Sequence, residues 1–143
     1  MTTSLQKTVL VGGCFDFIHF GHITFLQHAK NLGTKLVVAL ESDENVRHAK
    51  GLSRPIHTQD QRAAMLKALH CVDEVFLLPL MRTDSQYNDL VLQIHPDIIA
   101  ITQGDPIKQK KELQAHMIGA LLVEIPKIHT PSTSQLAKLL GLE

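Results

Sequence analysis

Short apolar runs alternate with longer amphipathic stretches along the whole chain. The apolar runs predict five β-strands, at residues 8–13, 35–40, 72–78, 97–102 and 121–125. After the first run, apolar residues such as Ile23, Leu26 and Ala29 recur at the spacing of one helix face. The same reasoning predicts helices over about residues 21–32, 42–49, 58–69, 84–95, 107–119 and 132–140. Strands and helices that alternate in this way are expected to form a parallel sheet with helices on both faces.

Local signals mark the ends of several elements. Gly33 is expected to end the first helix as a C-terminal glycine. Thr58 and Gln61 form a capping-box pattern at the start of the helix predicted over residues 58–69. Pro96 is expected to end the helix predicted over residues 84–95. Because no linker rich in glycine, proline or serine interrupts the pattern, residues 1–143 are predicted to form a single Rossmann-like α/β domain with a five-stranded sheet. Ligands bind such sheets beyond the carboxyl ends of the strands, so motifs at strand ends are the first candidates for function.

The composition narrows the classes of function. The 143 residues suffice for one domain, and 14 Lys and Arg balance 14 Asp and Glu. A domain that binds nucleic acid normally carries a basic surplus, so we expect no nucleic-acid partner. No apolar run approaches the roughly 18–20 residues that span a bilayer, and the first residues lack a signal-peptide pattern, so we expect no membrane partner. Cys14 and Cys71 form no CxxC pair, which favours a reduced, cytoplasmic protein.

The densest functional signal lies at the end of the first strand, where residues 12–22 read GGCFDFIHFGH. His19 and His22 are three residues apart, so both face one point if they lie on the first turn of a helix. Gly21 lets a ligand approach the backbone, and a helix N-terminus adds free N–H groups and a partial positive charge. The sequence therefore predicts a phosphate site. The alternatives are metal ligation, for which no third ligand lies nearby at zinc-site spacing, and ordinary surface histidines.

This segment resembles the G-x-F-D-x-x-H-x-G-H signature of the cytidylyltransferase-like nucleotidyltransferases. Those enzymes join a nucleoside triphosphate to a phosphorylated or carboxylated small molecule and release pyrophosphate. Residues 50–55, with Gln61 and Arg62, resemble the K-G-x-S-R-P…Q-R stretch of heptose-phosphate adenylyltransferase domains. Residues 68–75 resemble a run shared with glycerol-phosphate cytidylyltransferases, and residues 132–134 resemble the start of the family's last helix. The resemblance covers about residues 8–140.

The resemblance implies three groups of site residues. The catalytic group comprises His19, His22 and Lys50. The nucleotide-binding group comprises Gly13, Cys14, Phe15, Gly21, Arg62, Gly104, Ser132, Thr133 and Ser134. The group assigned to the acceptor substrate comprises Asp16, Arg54, Asp105 and Lys127. No residue is assigned to a metal site; Mg²⁺ is expected to arrive with the nucleotide, and a homodimer is expected.

Several of these residues have a second interpretation. Asp16 could orient its loop rather than bind the acceptor, and Arg62 could be an ordinary surface residue of a helix. Phe15 suits the core better than stacking on a base. Lys127 stands where the glycerol-phosphate enzymes have an arginine, which keeps the charge but loses the planar fork and alters the expected acceptor pocket. The thiol of Cys14 would need a histidine partner and a covalent step to act in catalysis.

The leading hypothesis is transfer of AMP from a nucleoside triphosphate to a sugar phosphate such as heptose 1-phosphate, with release of pyrophosphate. A glycerol 3-phosphate cytidylyltransferase using CTP is the first alternative. An adenylyltransferase of the FMN or pantetheine-phosphate type and a non-catalytic nucleotide-binding module are the others. An acceptor phosphate is already an anion, so the reaction needs alignment and charge neutralisation rather than a general base. The run Lys108, Lys110 and Lys111 is predicted to be a solvated helix face rather than a nucleic-acid site.

Overall fold

The computed structural model describes residues 5–128 and 133–141. Five strands form one sheet: β1 (Thr8–Gly13), β2 (Lys35–Leu40), β3 (Glu74–Leu77), β4 (Ile98–Thr102) and β5 (Leu121–Ile125). The helices are α1 (Phe20–Asn31), α2 (Asp43–Lys50), α3 (Gln59–Lys67), α4 (Asp84–Ile94), α5 (Lys108–Ile118) and α6 (Thr133–Leu139). Within the described ranges, no helix has both the length and the apolar character that a bilayer crossing requires.

The sheet has the strand order β3-β2-β1-β4-β5, and every neighbouring pair is parallel. The chain moves outward from the central strand β1 to β3, then crosses back to β4 and continues to β5. The direction of winding therefore reverses between β1 and β4, and their carboxyl ends form a topological switch point where such sheets bind ligands. This architecture confirms the predicted Rossmann-like α/β fold.

Alternate residues of each strand contribute to two hydrophobic cores, one on each face of the sheet. Val9 and Val11 of β1 belong to the core that also contains buried residues of α1 and α3. Leu10, between them, belongs to the core that contains buried residues of α4 and α5. Helices thus cover both faces, which explains why the strands read as continuous apolar runs rather than as alternating ones.

The third strand is shorter than the sequence predicts. The N–H of Val72 donates to the carbonyl of Leu69 at 3.2 Å, so residue 72 still belongs to the turn after α3. The Asp73 carboxylate then accepts the N–H of Leu36 at 2.7 Å, and the strand begins only at Glu74. Asp73 and Leu78 still donate their backbone N–H groups to carbonyls of β2, each at 3.0 Å, so the apolar run included the residues that flank the strand.

Gly33 has a different role from the predicted one. The cap of α1 is Leu32 in the ordinary right-handed conformation, and Gly33 is not among the residues with positive φ. A Cβ on Gly33 would lie 2.6 Å from the carbonyl oxygen of Lys7 and 2.8 Å from Cγ2 of Val9. The helix therefore ends before Gly33, as predicted, but without a left-handed glycine cap. This position needs glycine because the turn after α1 packs directly on the start of the sheet.

Candidate active site

The loop between β1 and α1 has an unusual backbone conformation. Phe15 and Phe17 have φ angles of 45° and 57°, in the left-handed region that residues other than glycine rarely adopt. The ring of Phe15 is buried in the core shared with α1 and α3, which supports its interpretation as a core residue. A Cβ on Gly13 would meet this ring at 3.0 Å, so the glycine lets the ring fold back over the strand end. Core packing thus fixes the loop that precedes the histidines.

The carboxylate of Asp16 ties this loop to the loop between α2 and α3. Its Oδ2 accepts Nε–H of Arg54 at 2.7 Å and the N–H of Ile56 at 2.8 Å, and its Oδ1 accepts the N–H of His57 at 3.1 Å. Asp16 and Arg54 are only 1% and 2% exposed. Burial alone would raise the pKa of Asp16, but the Arg54 hydrogen bond and the two amides outweigh it and lower the pKa. This geometry supports the interpretation of Asp16 as the residue that orients the loop.

Arg62 is a second buried arginine. Its residue is 0% exposed, so the interpretation as an ordinary surface residue was wrong. The guanidinium donates to the carbonyl of His57 at 3.1 Å, to the carbonyl of Cys14 at 2.7 Å and to Oδ1 of Asp43 at 2.7 Å. Arg62 therefore holds the end of β1 and the start of α2 together, and its contact with a triphosphate stays a prediction.

His19 and His22 form a reciprocal cap at the N-terminus of α1. His19 is the N-cap residue, and its Nδ1 accepts the N–H of Gly21 at 3.0 Å. The Nδ1 of His22 accepts the N–H of His19 at 3.3 Å. The ring centroids are 4.0 Å apart and the ring planes are inclined by 31°. The two imidazoles therefore lie side by side at the helix start, as the spacing of three residues predicts.

These hydrogen bonds determine where each ring holds its proton. A ring nitrogen that accepts a hydrogen bond carries no proton, so a neutral His19 or His22 is protonated at Nε2. Burial lowers the pKa of His19, and burial together with the neighbouring His19 and Lys50 lowers the pKa of His22 to about 4. Both rings are therefore neutral near pH 7. Each offers one Nε2–H donor, so the pair can bind a phosphate through directed hydrogen bonds.

Lys50 supplies a positive charge near the histidines. It is the last residue of α2 and is exposed. Its charge helps to lower the pKa of His22, after the larger effect of burial. For Cys14, burial raises the pKa, and the opposing effect of Lys50 is too small to reverse this. Cys14 is thus a neutral thiol near pH 7, in agreement with a reaction that has no covalent step.

A first cavity of about 280 Å³ opens beside the two histidines, between α1 and the ends of β4 and β5. Eight of the predicted site residues line it: Gly13, Cys14, Phe15, His19, Gly21, His22, Asp105 and Lys127. Asp16, Arg54 and Arg62 do not line it. The residues predicted from the sequence thus form much of the wall of this cavity. The predicted set also included Asp16, Arg54 and Arg62, which are buried and support the loops behind the cavity.

A second cavity of about 360 Å³ lies on the other face of the sheet, against α4 and α5. It shares Gly12, Gly13, Cys14, Ala100 and Lys111 with the first cavity, so the two meet at the carboxyl end of β1 and beside the middle of β4. Its lining is mostly apolar, with Leu10, Ala39, Ala49, Leu78, Leu90, Val91, Ile99 and Ile107. Its polar residues are Glu41, Asn45, Asp84, Tyr87, Lys110, Lys111 and Gln114. Among them, the Tyr87 hydroxyl donates to the Glu41 carboxylate, 2.9 Å and 3.0 Å from its two oxygens.

The family model described as cytidylyltransferase-like matches residues 10–129, which is most of the chain. The chain belongs to the cytidylyltransferase-like family. As a member of this family it is a nucleotidyltransferase, which confirms the class of enzyme that the signature at residues 12–22 predicted.

Relatives of this cytidylyltransferase-like protein carry two different names. The chain is 40% identical over 135 residues to the FAD synthase of Thermococcus kodakarensis, with 92% of this chain and 88% of that protein covered. It is 39% identical over 114 residues to the bifunctional protein HldE of Campylobacter jejuni, with 80% of this chain and 23% of that protein covered. A crystal structure of the lipopolysaccharide core biosynthesis protein from Thermoplasma volcanium superposes with a TM-score of 0.73 at 27% identity, over 87% of this chain and 99% of the other.

Sequence reasoning missed several residues that line the cavities of this cytidylyltransferase-like protein. Thr24 and His28 lie on the same face of α1 as Gly21 and line the first cavity. Their spacing of three and seven residues from Gly21 was the signal that could have found them. Glu41 and Tyr87 are 46 residues apart, and only the fold brings them together in the second cavity.

The remaining predicted residues lie at the edge of this site or beyond the described part of the chain. Gly104 is in the turn after β4 with a φ of 84°. Ser134 is exposed, and its Oγ accepts Nη1–H of Arg54 at 3.5 Å. Ser132 and the side chain of Thr133 lie outside the described residues.

Proposed function

We propose that the protein transfers AMP from ATP to the phosphate of FMN, forming FAD and pyrophosphate. The observation that carries this proposal is the apolar second cavity beside the strand ends. A flat aromatic ring fits against a lining that is mostly apolar, whereas a polyhydroxylated sugar needs a hydrogen-bond partner for most of its hydroxyls. The 40% identity to an FAD synthase, over 92% of the chain, supports the same acceptor.

In this proposal ATP occupies the first cavity and the flavin ring occupies the second. The two phosphate groups then meet at Gly13 and Cys14, which line both cavities. An oxygen of the FMN phosphate attacks the α-phosphorus of ATP and forms a new P–O bond. The bond between the α-phosphorus and the oxygen bridging to the β-phosphate breaks, and pyrophosphate leaves with that electron pair.

The side chains at this junction stabilise charge rather than move protons. The Nε2–H groups of His19 and His22 donate to oxygens of the α-phosphate, where negative charge accumulates in the transition state. Lys50 adds a full positive charge beside them, and its influence on the pKa of His22 supports this placement. Mg²⁺ bound to the triphosphate neutralises the leaving pyrophosphate.

Transfer of AMP to a sugar phosphate is the second candidate function. It is favoured by the match to HldE, at 39% identity over 80% of the chain, and by the residues KGLSRP at 50–55. Within this stretch, Arg54 forms a buried ion pair with Asp16. The stretch therefore stabilises a loop of the fold, and its presence does not depend on which acceptor binds. We therefore rank the flavin acceptor first.

Assays with each combination of nucleotide and acceptor test the two candidate functions. The protein is mixed with ATP or CTP and with FMN, heptose 1-phosphate or glycerol 3-phosphate, and pyrophosphate release is measured in each mixture. We expect turnover with ATP and FMN, and FAD identified by chromatography as the product. Turnover only with a sugar phosphate or with CTP contradicts the proposal in favour of the other enzyme, and nucleotide binding without turnover in any mixture favours a binding module.

A substitution on α2 tests the assignment of the second cavity. Ala49 is exposed and lines that cavity, so Ala49→Trp narrows it without filling the core. We expect the KM for FMN to rise about tenfold or more, with the affinity for ATP unchanged. His48→Trp, one residue earlier on the same helix and outside both cavities, is the matched control. Equal behaviour of the two variants contradicts an acceptor in this cavity.

A further inference from the structure

Lys111 on α5 lines both cavities. Five residues line both cavities, and among them Lys111 is the one with a charged side chain. Of the other four, Gly12 and Gly13 end β1, Cys14 follows it directly, and Ala100 is the middle residue of β4. A group that reaches both cavities can contact whatever molecules occupy them.

The position of Lys111 distinguishes it from the other two lysines of the same helix. Its side chain is 21% exposed, compared with 43% for Lys108 and 57% for Lys110. Lys108 pairs with Glu124, and Lys110 pairs with Asp84 at 3.1 Å, both on the protein surface. The prediction of a uniformly solvated lysine face was therefore wrong for Lys111.

The charge of Lys111 acts on acidic residues of both cavities. Its Nζ donates to Oδ2 of Asp105 at 2.8 Å, and Asp105 lines the first cavity. On the other side, Glu41 lines the second cavity: burial raises its pKa, and the charge of Lys111 partly opposes that rise. Two carboxylates near this junction would repel a phosphate, and the ammonium group of Lys111 counteracts that repulsion.

We propose that Lys111 is a catalytic residue whose ammonium group contacts the phosphates of both substrates and holds the acceptor oxygen in line with the α-phosphorus. This rests on nucleotidyl transfer across the two cavities and not on the identity of the acceptor. Two phosphate anions repel each other as they approach, so a cation that contacts both lowers the cost of bringing them together. His19 and His22 line only the first cavity, so they cannot supply this contact with the acceptor.

Steady-state kinetics of Lys111→Met, Lys111→Arg and Lys108→Met test the proposal, with the substrate pair that the wild-type enzyme turns over. We expect Lys111→Met to lower kcat about a hundredfold, on the scale of losing one transition-state donor, and to raise the KM of both substrates. Lys111→Arg keeps the charge and should recover a large part of the activity. Lys108→Met removes a charge three residues earlier on the same helix, outside both cavities, and should stay within about threefold of the wild type.

The outcomes separate this proposal from the proposed function. Activity of wild-type protein with a sugar phosphate instead of FMN contradicts the flavin acceptor, and the Lys111 series is then measured with that substrate. If Lys111→Met behaves like Lys108→Met, or raises the KM of one substrate alone with kcat unchanged, the bridging role is overturned. Circular dichroism and thermal unfolding accompany each variant. If Lys111→Met does not fold, Lys111→Arg decides: a folded variant with activity below one-hundredth of wild type overturns the role of the charge.

Discussion

The imidazole rings of His19 and His22 lie 4.0 Å apart, and the Nδ1 atom of each ring accepts a backbone N–H at the start of α1. The helix N-terminus thus uses one nitrogen of each histidine and leaves the other as a donor. Because both rings line the first cavity, the same two residues cap the helix and present hydrogen bonds to a phosphate. This dual role explains why a signature of two histidines three residues apart sits at a strand-to-helix turn.

The first prediction separates the catalytic role of His19 from its capping role. Asparagine is a good N-cap residue, so His19→Asn keeps the helix start but removes the Nε2–H donor. We expect kcat to fall about a hundredfold or more, with a melting temperature close to that of the wild type. His22→Ala should give a similar loss of kcat. His48→Asn, outside both cavities, is the control, and near-wild-type turnover of both site variants would refute the role of the pair.

The second prediction concerns the pH dependence of stability. The pKa of His22 falls from its ordinary value of 6.5 to about 4 in the folded protein, chiefly because the ring is buried. Between these values the unfolded chain binds more protons than the folded chain, so the free energy of unfolding decreases as the pH falls from 6.5 towards 4. Urea unfolding of wild type and His22→Asn across this range should show a shallower pH dependence in the variant. Identical slopes would mean that His22 titrates normally in the folded state.

The third prediction concerns the buried pair of Asp16 and Arg54. Removing one partner leaves an uncompensated buried charge, so Asp16→Asn and Arg54→Met should each lower the free energy of unfolding by about 3–5 kcal/mol. The double variant should lose less than the sum of the two, because neither charge is left alone. Denaturant unfolding measures all three. Losses below about 1 kcal/mol in both single variants would show that the two loops do not depend on this pair.

Much of the fold could be predicted because parallel strands are buried on both faces. The runs at β1, β2 and β5 have the predicted bounds. In β1 and β2 this follows from burial on both faces, which leaves few polar positions. The edge strand β5 is apolar except for Glu124. The spacing of His19 and His22 predicted their proximity because one helical turn fixes it. These are local relationships, which the sequence pattern determines without knowledge of the tertiary structure.

The roles of individual charged residues depended on tertiary contacts. Arg62 and Lys111 show two opposite ways in which the predicted role of a charged residue differs from its place in the structure. Arg62 lies in a motif assigned to the nucleotide, yet its guanidinium is buried and bound to Cys14 and Asp43. Lys111 lies in a run of lysines typical of a solvated helix face, yet it reaches the junction of the two cavities. Burial of a charge depends on what packs against it, and residues distant in the sequence determine that.

The fourth prediction concerns Gly33. Alanine at this position would place Cβ 2.6 Å from a backbone oxygen of Lys7, which the start of the sheet cannot easily move away. We expect Gly33→Ala to lower the free energy of unfolding by about 1–3 kcal/mol, as other overpacked sites do. Gly12→Ala is the comparison, because its nearest contact, with the carbonyl oxygen of Ala39, is an ordinary 3.7 Å. Equal stability of the two variants would contradict the close-packing role of Gly33.

The fifth prediction is that Mg²⁺ reaches the site bound to the nucleotide. Among residues 5–128 and 133–141, no three or more His, Cys, Asp or Glu side chains are grouped so as to hold a metal ion. Mg²⁺ prefers several oxygen ligands, and those of a triphosphate satisfy it together with water. We therefore expect excess chelator to abolish turnover, added Mg²⁺ to restore it, and Mg²⁺ alone to leave the melting temperature unchanged.

Thermal-shift measurements with Mg²⁺, with ATP and with both together check this order of binding. A ligand at 100 times its dissociation constant stabilises the folded state by roughly 2.7 kcal/mol, which is readily seen as a shift in melting temperature. ATP with Mg²⁺ should therefore stabilise the protein more than ATP with chelator, whereas Mg²⁺ without nucleotide should have no effect. A shift produced by Mg²⁺ alone would instead indicate a resident metal site on the protein.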